Sequence, residues 1–185
     1  MMILSRIFGR KKDDATAHEL YVALAGQARQ PVFYCEGGVP DTLDGRFDLL
    51  SLHLFLVLRR LSGKQASAAE TGLAQQVFDV MFGDMDRNLR EMGVGDLTVG
   101  KRIRTMSEAF YGRVEAYETG LQASHDDAIL MAALDRNLYR GEAPGPLQLA
   151  RMATYMRDVA ALLAQQVSDD FLVGKLVFCA APEFN

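Results

Sequence analysis

Cysteine and histidine are scarce in this chain, and that scarcity closes several chemical routes. The only cysteines are Cys35 and Cys179, far apart and outside any CxxC spacing. This argues against a zinc ribbon or a dithiol redox motif and fits a reducing compartment, where a lone cysteine serves as a small apolar residue. The three histidines, His18, His53 and His125, have no partners at ligand spacing, and there is no Glu-x-x-His of the kind that lines a di-iron bundle. No G-x-S-x-G elbow occurs, and Met92-Gly-Val-Gly-Asp96 lacks the lysine and setting of a phosphate loop. No catalytic residues, metal site or cofactor site are therefore expected. Long apolar runs are missing too. The densest, Phe47 to Leu58, is too short to span a bilayer and contains Asp48 and His53. An excess of positive charge is also absent: the formal net charge is −4, which provides no basic field to draw nucleic acid.

What is present reads as helix. At 185 residues, 49% hydrophobic and 24% charged, the chain suits one globular domain. Thr16-Ala-His-Glu19, Ser67-Ala-Ala-Glu70 and Ser124-His-Asp-Asp127 each place a hydroxyl three residues before an acid, the pattern of a capping box. Asp41 offers a further cap, Pro146 a first helical position, and Gly63, Gly93, Gly120 and Gly141 offer stops. These signals predict an all-α, single-domain bundle of about six helices, near 16–28, 42–62, 67–92, 99–120, 125–140 and 146–166. Short extended segments are expected near 31–35 and 176–179, either paired as a ribbon or lying across the bundle. Residues 1–14 read as a separate flexible, basic and amphipathic terminus ahead of the 15–185 domain. There Ile3, Leu4, Ile7 and Phe8 recur at helical spacing beside Arg6, Arg10, Lys11 and Lys12. That pattern suits contact with an anionic membrane surface, although a frayed terminus with a few chance hydrophobics is the favoured reading.

The second helix is apolar on two sides. Leu43, Phe47, Leu50, Leu54, Leu58 and Leu61 form one stripe, and Leu49, Leu52 and Leu56 form another. Such a helix is either central in the bundle, the favoured arrangement, or turns its second side to a partner. On the latter account Leu49, Leu52 and Leu56 are an apolar client face. Arg46, His53 and Arg60, spaced by seven, would make a polar seam, with His53 a hydrogen-bonded structural residue rather than a ligand. Asp84, Asp86, Arg102, Arg104, Tyr111, Arg113 and Glu118 crowd two helices that otherwise carry Met and aromatic stripes, and they form the candidate partner-binding patch. Lys101, Arg102 and Arg104 near a helix start oppose the helix dipole, which calls for either an acidic partner or pairing with Asp84 and Asp86. The nine methionines suit core filling, and they also suit an adaptable apolar binding face.

Several stretches carry a resemblance. These are Val39-Pro-Asp-Thr-Leu43, the leucine-rich helix containing His53, Met81-Phe-Gly-Asp84 and Met92-Gly-Val94, followed by Lys101, Met106, Phe110-Tyr111, Tyr117 and Gly120-Leu121. In order and spacing they resemble the ubiquinol–cytochrome c chaperone family. The resemblance implies a non-catalytic, all-helical assembly factor that binds cytochrome b, or a similar hydrophobic membrane client, during biogenesis of the cytochrome bc1 complex. The long presequence of mitochondrial members is missing, so a bacterial-type member is expected, cytoplasmic or peripheral at the cytoplasmic face of the inner membrane. The rival expectation is a helical bundle that binds haem or quinone, with His53 as a ligand.

Overall fold

The computed structural model describes the backbone of residues 2–123 and 127–184, and the side chains of 15–123 and 127–184. Eight helical segments occur among the described residues: α1 Met2–Ala28, α2 Pro31–Cys35, α3 Leu43–Leu61, α4 Ala68–Glu91, α5 Asp96–Gln122, α6 Asp127–Asn137, α7 Pro146–Gln165 and α8 Ser168–Leu172. The six expected helices are all present, and two short ones are added. The membrane-contact expectation for Ile3, Leu4, Ile7 and Phe8 falls on side chains outside those described, as does the Ser124 cap. No helix among the described residues is long and apolar enough to cross a membrane.

Helix α3 is the axis of the bundle, packed against α1, α4, α5 and α7. Neighbours cover both of its apolar stripes, so Leu49, Leu52 and Leu56 are completely buried. This corrects their assignment as a client face: the second stripe is greasy because α3 is surrounded. The polar seam fails as well, because His53 lies fully inside the core while Arg46 is exposed.

Helix ends follow local chemistry where it is strong. Ser67 Oγ accepts from the Glu70 amide at 3.2 Å, and Glu70 Oε2 accepts from the Ser67 amide at 2.8 Å, closing the expected capping box. Glu70 also accepts from Arg60 at 2.8 Å and from the Ser168 hydroxyl at 2.7 Å, so one carboxylate ties α3, α4 and α8 together. The Ser67 amide, followed by the Ser168 and Arg60 donors, holds the Glu70 carboxyl down at about 2. The cap of α3 is Thr42, whose Oγ1 accepts from the Gly45 amide, whereas Asp41 pairs with Arg46. Pro146 begins α7 as expected.

Three local signals are overridden. Thr16 does not start a helix: it is buried within α1, which runs through it so that Ala17, Leu20, Tyr21, Leu24 and Ala28 pack inward. Gly120 is not a stop, because it lies inside α5, where a Cβ would come 2.8 Å from the Leu130 Cα, so its bareness permits the close crossing of α5 and α6. The end of α5 is instead served by Arg157, which donates to the carbonyls of Gly120, Leu121 and Ala123. Residues 31–35 are a helical turn rather than a strand, so no ribbon forms with 176–179. Pro31 presets the first helical φ, and Phe33 is buried edge-on to His53 and Tyr155. Residues 176–179 do run without regular structure along the bundle, with Phe178 edge-on to His53. Neither free cysteine is a core residue, Cys35 being exposed and Cys179 half-buried.

Candidate functional site

A groove of about 930 Å³ opens between α3, α4 and α5. Its floor is apolar. Helix α3 contributes Phe47 and Leu50, α4 contributes Met85, Leu89 and Met92, and α5 contributes Met106 and Ala109. Met85, Leu89 and Met92 continue the apolar stripe of α4 to the helix end, where Met92 is 54% exposed. Unbranched thioether side chains on such a floor can repack around irregular apolar shapes.

The rim is cationic. Arg29, Arg46, Lys101, Arg102 and Arg140 line the opening, against the acids Asp44 and Glu91. At the inner wall, Asp48 is completely buried and accepts from Arg113 at 2.5 Å and from Arg140 at 2.7 Å. Burial pushes its carboxyl above the usual carboxylate range, and the two guanidiniums pull against that push. Arg140 holds a left-handed backbone, φ 59°, uncommon outside glycine, and its ion pairs to Asp48 and Asp44 secure it there. By contrast, Arg29, Lys101 and Arg102 have no ion-pair partner among the described residues.

Of the seven patch residues, the structure places only Arg102 and Arg113 in the groove. Asp84 accepts from the Tyr21 hydroxyl at 2.6 Å, tying α1 to α4; Asp86 pairs with Arg90, Arg104 with Glu108, and Glu118 with Arg59 at 2.8 Å. Tyr111 is exposed and stacks near Phe78 and Phe110 rather than lining the groove. The alternative pairing of the α5 cations with Asp84 and Asp86 does not form. α5 begins at Asp96, ahead of those cations, so an acid rather than a base opens the helix. Arg29, Arg46, Met85 and Met92 were missed as groove residues. A signal existed in the α4 stripe, which continues past the point where a covering helix is supplied.

His53 is settled by its hydrogen bonds. Nδ1 donates to the Leu49 carbonyl at 2.9 Å, so the unprotonated Nε2 accepts from the Tyr155 hydroxyl at 2.8 Å, and that hydroxyl accepts from Gln27 at 2.8 Å. Burial keeps the imidazole neutral and lowers its pKa to about 4. With both nitrogens engaged, His53 has no lone pair free for haem, which removes the basis of the haem-ligand expectation. Among the described residues no three His, Cys, Asp or Glu side chains converge as metal ligands would.

Comparison with known proteins gives a consistent picture. Assembly factor 1 of the ubiquinol–cytochrome c reductase complex from Drosophila melanogaster is 27% identical over 161 residues, 85% of this chain and 61% of that protein. The Xenopus laevis counterpart is 27% identical over 172 residues, 92% of this chain and 84% of its own length. The chain thus spans about three fifths of the fly protein and most of the frog one. The crystal structure of the Cbp3 homolog from Brucella abortus superposes with a TM-score of 0.84 at 34% identity, covering 98% of both chains. Residues 36–178 match the family model described as Ubiquinol-cytochrome C chaperone, and the chain belongs to that family.

Proposed function

We propose that this chain is a non-catalytic assembly chaperone in the biogenesis of the cytochrome bc1 complex, with cytochrome b as its client. One observation carries the reading: in a chain of this family, an apolar groove with a methionine floor stands open between three helices. A newly made membrane subunit exposes apolar segments before it meets its partners. A groove of this kind shields such a segment by burying its apolar side chains, each worth roughly 1.5–3 kcal/mol when fully covered, while rim charges suppress wrong partners. The work is done where the client emerges, peripherally at the cytoplasmic face of the inner membrane.

The test is deletion of the gene followed by quantification of b-type haem and assembled bc1 complex. Re-expression of the unaltered chain restores both. Re-expression of Ala109→Trp, which fills the groove floor, leaves both low. Unchanged cytochrome b content in the deletion strain would overturn the proposal.

A further inference from the structure

The groove has a length, a volume and a charge, and together they describe its occupant. Along α5 its wall runs from Thr98 to Arg113, fifteen residue steps or about 22 Å at 1.5 Å per residue. That length corresponds to about four turns of helix. The groove holds about 930 Å³. A single acyl chain, with a fraction of a helix's girth, leaves much of that volume empty.

Charge narrows the choice further. The whole molecule carries a formal net charge of −4, so a cationic rim is a local reversal of its overall field. Three rim cations are unclaimed by the fold: Arg29 beyond the end of α1, and Lys101 and Arg102 on α5. Arg46, Arg113 and Arg140, by contrast, are already paired with acids of this chain. Unpaired cations around an apolar floor are complementary to an apolar segment flanked by carboxylates.

We propose that the groove receives an apolar helix of about four turns that carries acidic side chains at the borders of its apolar face, read by Arg29, Lys101 and Arg102. This rests on the client-holding reading above and adds the chemistry of the client segment. It also supplies discrimination. An apolar segment bordered by Lys or Arg is repelled by the same rim.

The experiment uses the full chain and two fluorescein-labelled sixteen-residue helical peptides. Both have the same leucine–alanine apolar face; one carries glutamate and the other lysine at four bordering positions. Anisotropy titrations at low salt are expected to show the glutamate peptide binding at least tenfold more tightly, with the preference shrinking in 0.5 M salt. In the double variant Lys101→Glu/Arg102→Glu, both sites being exposed, the glutamate peptide loses at least tenfold in affinity and the lysine peptide gains. Affinities within twofold of each other, or a preference untouched by the charge reversal, would overturn the proposal. Binding to phosphatidylglycerol vesicles without binding of the glutamate peptide would also overturn it, pointing to a lipid surface. The client reading is tested separately: if Ala109→Trp weakens both peptides equally and no charge preference exists, the groove still holds clients and only the acid selection fails. If neither peptide binds, the acid selection is overturned, and the deletion strain alone decides the client role.

Discussion

Both apolar stripes of α3 are buried, but they border different surroundings. On one side Leu49, Leu52, His53 and Leu56 are completely buried, and every polar atom of His53 finds a partner inside the protein. On the other, Phe47 and Leu50 form part of a floor whose methionines remain partly open and whose rim cations are not all paired. The difference lies in what covers each stripe rather than in hydrophobicity. A protein built only for stability would cover the methionines beside Phe47 and Leu50 as it covers Leu49 and Leu52, so the comparison separates residues that hold the fold from residues free to hold something else.

The boundary between the two regions is Asp48, and its removal has the largest expected effect. Asp48→Ala strands Arg113, whose side chain is only 11% exposed, and releases Arg140 from the pair that secures its left-handed backbone. A loss of about 3–5 kcal/mol is expected, read as a lower urea midpoint at unchanged slope. Replacing both partners, Asp48→Leu with Arg113→Met, recovers most of it, because no charge is then left buried and unpaired. A single-variant loss below about 1 kcal/mol would mean that the groove wall is not anchored to the core as described.

The sealed side can be broken by acid. His53 has a folded pKa of about 4 against an ordinary 6.5, so it is the unfolded chain that takes up the proton first. Stability is therefore fully present above pH 6.5 and declines as pH falls from 6.5 towards 4, by up to about 3 kcal/mol. Urea titrations at pH 7.5, 6, 5 and 4 should trace this decline. His53→Gln is less stable at pH 7.5 but loses the part of the slope between 6.5 and 4 that belongs to the imidazole. An unchanged slope in the variant would place the acid sensitivity elsewhere.

How much of this was legible in sequence depends on how local the cause is. The Ser67–Glu70 box and the Pro146 start are written within four residues, and both were readable. Thr16 carried the same pattern and failed, since the α1 residues on either side of it form one helix. Pro31 to Cys35, rich in β-branched and aromatic residues, read as extended, but the position of Phe33 is decided by His53 and Tyr155, which lie far along the chain. Asp48 and Arg113 are 65 residues apart, and nothing in either neighbourhood announces the other. The groove was the least legible feature. Its floor was visible as methionine stripes, but a stripe that will be covered and one that will stay open look the same until the helices are placed around it.

The smallest expected effect is the most telling for the open side. Met92 closes the α4 stripe at the groove and is 54% exposed, so Met92→Ser deletes little buried surface. Its cost to folding should stay within about 0.5 kcal/mol, inside the scatter of a careful urea titration. In the deletion strain, however, the same variant should restore cytochrome b less fully than the unaltered chain, because the deleted contact belongs to the client rather than to the core. A change that is silent in unfolding yet visible in assembly is the signature of an apolar residue kept for a partner. If Met92→Ser instead costs as much stability as a core truncation, roughly 2 kcal/mol or more, then Met92 is packed within the fold, and the groove is shallower than its volume implies.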